Sequence, residues 1–172
     1  MFCANCGQKM KEEIPPHDDR IRQVCPSCGF IFYNNPKPTV VAIIEKEEKV
    51  LLAKRARDPY KDCWDLIGGF VETGETLEEA LVREVKEEVN LDVLTATYYF
   101  NHIDTYKNAA NGFVSKNLGV HFIVKVKDFN TLKPGDDVFE TAWFSWANLP
   151  KDLVGFEDVV AVIQKRKKEL GF

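Results

Sequence analysis

The sequence has no apolar run approaching the ~20 residues of a membrane-spanning helix. It has no internal repeat and no low-complexity tract, which excludes solenoid and fibrous architectures. Positive charge is not in excess either. Against 27 Asp and Glu stand 23 Lys and Arg, a net charge of −4. A domain living mainly on duplex nucleic acid or on an anionic membrane is therefore not expected. The N-terminus lacks the basic-then-apolar pattern of a secretory signal, so the expectation is a cytoplasmic protein.

What is present suffices for a real core. The chain has 172 residues, is 45% hydrophobic, and carries twelve Phe, five Tyr and three Trp. That length predicts one main domain with a small appendage.

Four of the five cysteines locate the appendage. Cys3 and Cys6, then Cys25 and Cys28, form two identical C-x2-C pairs, each followed by glycine. Two thiolates three residues apart in a tight turn can face one ion, so the spacing reads as a four-cysteine zinc site. The glycines, Gly7 and Gly29, permit the positive φ such turns require. Two disulfides would fit the same spacing; the missing secretory signal favours zinc. The stretch between the pairs is polar and proline-bearing and cannot build a core alone, so the metal must hold it together. His17 reads as exposed, and Cys63, beside Trp64, as a packed small side chain. A proline-rich joint around Pro36 and Pro38 sets the boundary, with a ribbon over 1–35 and a second domain over 36–172.

In the second domain, Thr39–Glu45 reads as a buried strand, Glu47-Glu48 as a turn and Val50–Ala53 as the returning strand. Further strands are expected at 98–100, 120–126 and 142–145. Residues 76–90 read as a helix opened by a Thr76/Glu79 capping box and closed at Asn90. Residues 156–170 form an amphipathic helix stopped by Gly171. Residues 101–117 read as a long polar loop. Strands and helices do not alternate regularly, which predicts an α/β fold with a mixed sheet.

The chemistry concentrates between Gly69 and Leu91. At 100° per residue, Glu84, Glu87 and Glu88 share one face of the helix, beside an apolar arc of Leu81, Val82, Val85 and Val89. Like charges so placed repel. A divalent cation turns that repulsion into binding, and clustered carboxylate oxygens suit Mg²⁺ or Mn²⁺. A solvated acidic face is the alternative for these three residues alone. Asn101–Asn117 contributes Tyr106 and Phe113, and Phe70 follows the glycine pair; these aromatics could stack on a base.

The full spacing adds more. Gly69, five residues, Glu75, seven residues, Arg83-Glu84-Val85, Glu87-Glu88 and a final Leu91 resemble the Nudix box, with Asn90 where the family pattern has glycine. The chain is therefore identified as similar to the Nudix hydrolases. The resemblance implies an α/β/α sandwich with a mixed sheet over 36–172. It implies Mg²⁺ (or Mn²⁺) held by Glu84, Glu87, Glu88 and the carbonyl of Gly69, with Arg83 paired to Glu75 in a structural role. Glu140, before Trp143-Phe144, is implied as an extra metal ligand or base. The cysteine pairs in front of the box narrow the likeness to zinc-ribbon members such as the NADH pyrophosphatases, although their Ser-Gln-Pro-Trp motif is absent. The implied activity is hydrolysis of a nucleoside diphosphate linked to another group, as in NADH, ADP-ribose or a diadenosine polyphosphate. The implied partner is a small-molecule nucleotide, and a homodimer through the ribbon is compatible with it. A non-catalytic module that binds a nucleotide or nucleic acid is the competing function; it has no need of all three glutamates.

Overall fold

The computed structural model describes residues 1–108 and 112–172, with the side chains of Asn108 and Phe113 outside that description. It divides into two compact units, Met1–Asn35 and Pro36–Phe172. No helix among the described residues is long and apolar enough to cross a membrane.

The first unit is a three-stranded antiparallel sheet of β1 (Lys11–Glu13), β2 (Arg22–Val24) and β3 (Ile31–Phe32). Its buried core is Cys3, Met10 and Cys25, with Phe30 and Phe32 packed on them.

The second unit centres on β4 (Lys37–Lys46), followed by β5 (Lys49–Arg55), β6 (Trp64–Asp65), β7 (Ile67–Phe70), α1 (Leu77–Val89), β8 (Val93–Asn108), β9 (Phe113–Val126), β10 (Val138–Ser145) and α2 (Glu157–Leu170). The main path of the sheet is β10-β5-β4-β9-β8, with β6 on β5 and β7 on β4. β4 and β9 run parallel and the other pairs antiparallel, so the sheet is mixed.

β4 is apolar on both sides because both sides are covered. Val40, Ala42 and Ile44 pack with Ala80, Leu81, Val85 and Val89 of α1. Val41 and Ile43 pack with Val159, Val162 and Ile163 of α2. One strand thus feeds two cores, and the result is an α/β/α sandwich.

Two expectations need correction. Residues 101–117 are not a polar loop: their described part is the far end of the β8–β9 hairpin, paired from His102↔Gly119 to Asn108↔Phe113. Neither strand shows a clean polar–apolar alternation there, so the period-2 signal is missing. Val82 does not face the core but is exposed. At 100° per residue it falls just beyond Val89, the last buried position of the arc.

Candidate active site

Helix α1 carries the acidic set and is fixed at both ends. Thr76 Oγ1 accepts from Glu79 N–H at 3.2 Å, and Glu79 Oε2 accepts from Thr76 N–H at 2.8 Å, closing the capping box. Asn90 takes the left-handed conformation at φ 54°, and its N–H reaches the Lys86 carbonyl. Asparagine tolerates that backbone, and Thr131 holds it by exchanging hydrogen bonds with it at 2.8 and 3.0 Å.

The buried arc of α1 runs from Ala80 through Leu81 and Val85 to Val89, and Glu88 lies inside it. The carboxylates are therefore not beside the core face, as their spacing suggested, but partly within it. Burial, together with neighbouring Asp137, Glu84 and Asp65, pushes the Glu88 carboxyl well above its usual range, although the Gly68 N–H opposes the shift. Burial likewise raises Glu84.

The glycine pair makes room for these groups. A Cβ on Gly69 would lie 2.4 Å from Glu84 Oε1, and one on Gly68 would lie 2.1 Å from the Val40 carbonyl oxygen. Gly68 N–H donates to Glu88 Oε2 at 3.0 Å. Arg83 organises the other side. Its Nε and Nη2 donate to Glu75 Oε1 and Oε2 at 2.6 and 2.9 Å, Nη1 donates to Glu84 Oε1 and Glu87 Oε2 at 2.7 and 3.1 Å, and Nη2 also reaches the Phe70 carbonyl. The guanidinium holds Glu75 down at about 2. In turn the carboxylates raise Arg83 above its ordinary value.

Each of Glu84, Glu87 and Glu88 spends one oxygen on these contacts. Among the described residues the other oxygen of each makes no hydrogen bond. Hard oxygens from three carboxyl groups and no soft ligand fit Mg²⁺ or Mn²⁺.

Glu88 also lines a cavity of about 270 Å³. It is lined by Gly68, Gly69, Phe70 and Glu88, by Asp104 and Tyr106 of β8, and by Phe156 at the N-cap of α2. Phe70 meets Tyr106 edge-on at 6.3 Å, and Tyr106 is nearly parallel to Phe156 at 6.3 Å. The Phe113 side chain falls outside the described residues.

Glu140 is not brought to the cavity. It is exposed on β10 opposite Lys54, beyond a register irregularity that separates it from Val138. Asp137 lines the cavity instead, with its carbonyl held by Ala56 N–H at 2.7 Å. Arg55 and Asp65, joined at 3.0 Å, also reach the cavity without having been singled out by sequence. Burial lifts Asp65 to about 6.

In the first unit the four cysteines converge. Cys3 and Cys28 sulfurs are 3.6 Å apart and Cys6 and Cys25 sulfurs 3.5 Å apart, with all four within 4.8 Å. Disulfide sulfurs would be ~2.05 Å apart, and all five cysteines are free thiols. The separations approach the ~3.8 Å edge of a tetrahedron with 2.3 Å zinc–sulfur bonds. Gly7 and Gly29 take φ of 74° and 73°, and their N–H groups reach the carbonyls of Cys3 and Cys25. The donor set fits zinc.

Comparison with known proteins agrees with this geometry. The NUDIX domain profile matches residues 35–161, and the Nudix N-terminal profile, a zinc ribbon, matches residues 1–34. The chain is 39% identical over 131 residues to an ADP-ribose pyrophosphatase of Methanocaldococcus jannaschii, covering 76% of this chain and 75% of that one. It is 30% identical over 149 residues to the NAD-capped RNA hydrolase NudC of Pseudomonas aeruginosa, covering 87% of this chain but only 49% of NudC. A crystal structure of a NUDIX hydrolase from Nitrosomonas europaea superposes with a TM-score of 0.76 at 33% identity, covering 98% of this chain and 90% of that one. With a box helix whose carboxylates are seated on a glycine pair, a four-cysteine ribbon before it and matches over both units, the chain belongs to the Nudix hydrolase family, in its zinc-ribbon form.

Proposed function

We propose that this protein hydrolyses the diphosphate bridge of an adenosine diphosphate linked to a second group, of the ADP-ribose or NAD type, with Mg²⁺ or Mn²⁺. One observation carries the reading: Glu84, Glu87 and Glu88 are fixed by Arg83 and Gly68, each with one oxygen left over among the described residues, and Glu88 lines the cavity. The names of the relatives agree with the substrate class.

A cation bound there supplies charge against the diphosphate oxygens and acidifies a water. The chain's own residues do the rest. Arg83 locks the rotamers of Glu84 and Glu87, so the acidic set is organised before substrate arrives. The Gly68 N–H keeps Glu88 in place despite its burial. Phe70, Tyr106 and Phe156 offer ring faces and edges to the base. Asp137 extends the acidic rim where Glu140 does not reach. Reduced cysteines holding zinc accord with work in the cytoplasm.

The test is a substrate panel of ADP-ribose, NAD, NADH and a diadenosine polyphosphate with Mg²⁺ in oxygen-18 water, products identified by mass. The expected outcome is a nucleoside monophosphate and a second phosphate product, with one label on a phosphate. Label in a sugar hydroxyl would mean carbon–oxygen cleavage and overturn the mechanism. No turnover on any of them would favour a binding module.

A further inference from the structure

The cavity has a polar wall that the acidic set of α1 does not use. Asp104 of β8, Asn117 of β9 and Asp158 in the first turn of α2 line it, and all three are buried. Asp104 and Asn117 face each other in register. One oxygen of each is engaged: Asp104 Oδ1 accepts from Glu157 N–H at 3.0 Å, and Asn117 Oδ1 from Ser115 Oγ at 3.0 Å. Asp158 enters over a bare stretch of β9, where a Cβ on Gly119 would lie 2.1 Å from Asp158 Oδ2.

Behind Asp158 stands His121, fully buried; among the described residues neither ring nitrogen makes a well-formed hydrogen bond, although the backbone at Phe100 and Gly119 lies close enough to favour its charged form. Its Nε2 is aimed at Asp158 Oδ2 from 3.6 Å. A buried polar ring so poorly partnered is costly, and here it backs a carboxylate that opens on the cavity.

The chemistry of the wall selects its ligand. Ionised carboxylates only accept hydrogen bonds, so the wall repels phosphate and suits a neutral group rich in donors. Vicinal hydroxyls meet the requirement, each donating to a carboxylate. Tyr106 and Phe156, two residues from Asp104 and Asp158, set two nearly parallel rings beside the wall, where a base attached to the same sugar would stack. On the sheet, β9 lies two strand positions from the Gly68 end, about 10 Å, a span that leaves the diphosphate beside Glu88.

We propose that Asp104, Asn117 and Asp158 form a subsite for the 2′,3′-hydroxyls of the substrate's nucleoside ribose, with His121 as a positioning residue behind Asp158, so that the protein discriminates ribonucleotides from 2′-deoxyribonucleotides. This rests on the pyrophosphohydrolase reading above for its biological use, but it is testable apart from it.

Calorimetric titration of the full zinc-loaded chain with AMP and with 2′-deoxy-AMP in Mg²⁺ reads the subsite directly. The expected preference for AMP is at least about 10-fold, the size of one hydroxyl hydrogen bond to a charged group. Asp104→Asn keeps an oxygen for the Glu157 N–H and should cut that preference below about threefold; Asp158→Asn, a second variant for the case that the first fails to fold, should do the same. His121→Gln should raise KM for ADP-ribose more than for its 2′-deoxyadenosine counterpart and leave kcat unchanged; an equal shift on both makes it merely structural. No preference in the unaltered protein, or an unchanged preference in both aspartate variants, overturns the subsite. Hydrolysis without ribose preference removes the subsite and keeps the enzyme; preference in binding without hydrolysis does the reverse.

Discussion

Arg83 and Glu75 form a two-point ion pair, Nε to Oε1 at 2.6 Å and Nη2 to Oε2 at 2.9 Å, and the same guanidinium spends its remaining fork nitrogen, Nη1, on Glu84 and Glu87. Lysine would keep the charge and lose the planar fork. Arg83→Lys should therefore lower activity about 10–100-fold, the usual cost of losing a group that orients metal ligands, with the fold intact by circular dichroism. Activity within twofold of the unaltered protein would end the positioning role.

Glu88 is a carboxylate placed inside a buried arc. Glu88→Gln keeps an oxygen for the Gly68 N–H and removes the buried charge, so at pH 7 the variant should be more stable by roughly 0.5–2 kcal/mol while losing most activity. Glu87→Gln, on the exposed side, should lose activity without the gain in stability. Thermal melts and steady-state rates check both, and retained activity in both would remove the metal-site assignment.

His121 responds to acid with a definite sign. Burial lowers its pKa from 6.5 to about 4. Between these values the unfolded chain takes up a proton that the folded chain refuses, so this residue costs stability as pH falls from 6.5 to 4. The cost reaches about 3 kcal/mol. Relative to the unaltered protein, His121→Gln should gain about that much on acidification through this window. Denaturant titrations at pH 6.5 and pH 4 measure it, and parallel pH dependence in the two proteins would refute it.

Glu75 acts in the opposite sense. Arg83 holds it at about 2 against an ordinary 4.5. Its contribution is complete above 4.5 and fades as pH falls toward 2. Glu75→Gln should flatten that part of the acid unfolding curve, which circular dichroism can follow.

The ribbon should carry one tightly bound zinc per chain. With a core built around Cys3, Met10 and Cys25, the first unit is too small to fold without it. Chelation should melt residues 1–35, seen as loss of amide protection there. Mass data on fresh protein showing two disulfides and no zinc would overturn this.

Much of the fold and site was legible because it rests on local signals. Thr76, Glu79 and Asn90 bound α1 within the chain itself, and the cysteine pairs need only a turn each. What was hidden depends on pairings distant in sequence. Asp137 looks like one of two adjacent loop acids until Ala56 pins its carbonyl at the cavity. Asp158 reads as an ordinary first-turn acid, and only Gly119, from another element, shows that a carboxylate enters there. The polar end of the β8–β9 hairpin reads as loop because both its faces carry polar side chains. Glu140 follows the family's pattern in sequence, yet a register irregularity in β10 leaves it on the outside.

The parallel pairing of β4 with β9 has a kinetic consequence. Thr39 Oγ1 donates to the Leu118 carbonyl across 79 residues of chain. β7 and α1 lie between those strands in sequence, whereas Asp104 and Tyr106 of β8 come later. Closing so long a loop is slow compared with forming a helix or hairpin. The box helix can therefore acquire its caps early on the ribosome, but the two walls of the cavity meet only once β9 docks. A nascent chain stalled before residue 120 would hold every glutamate of the box and still have no pocket to bind in.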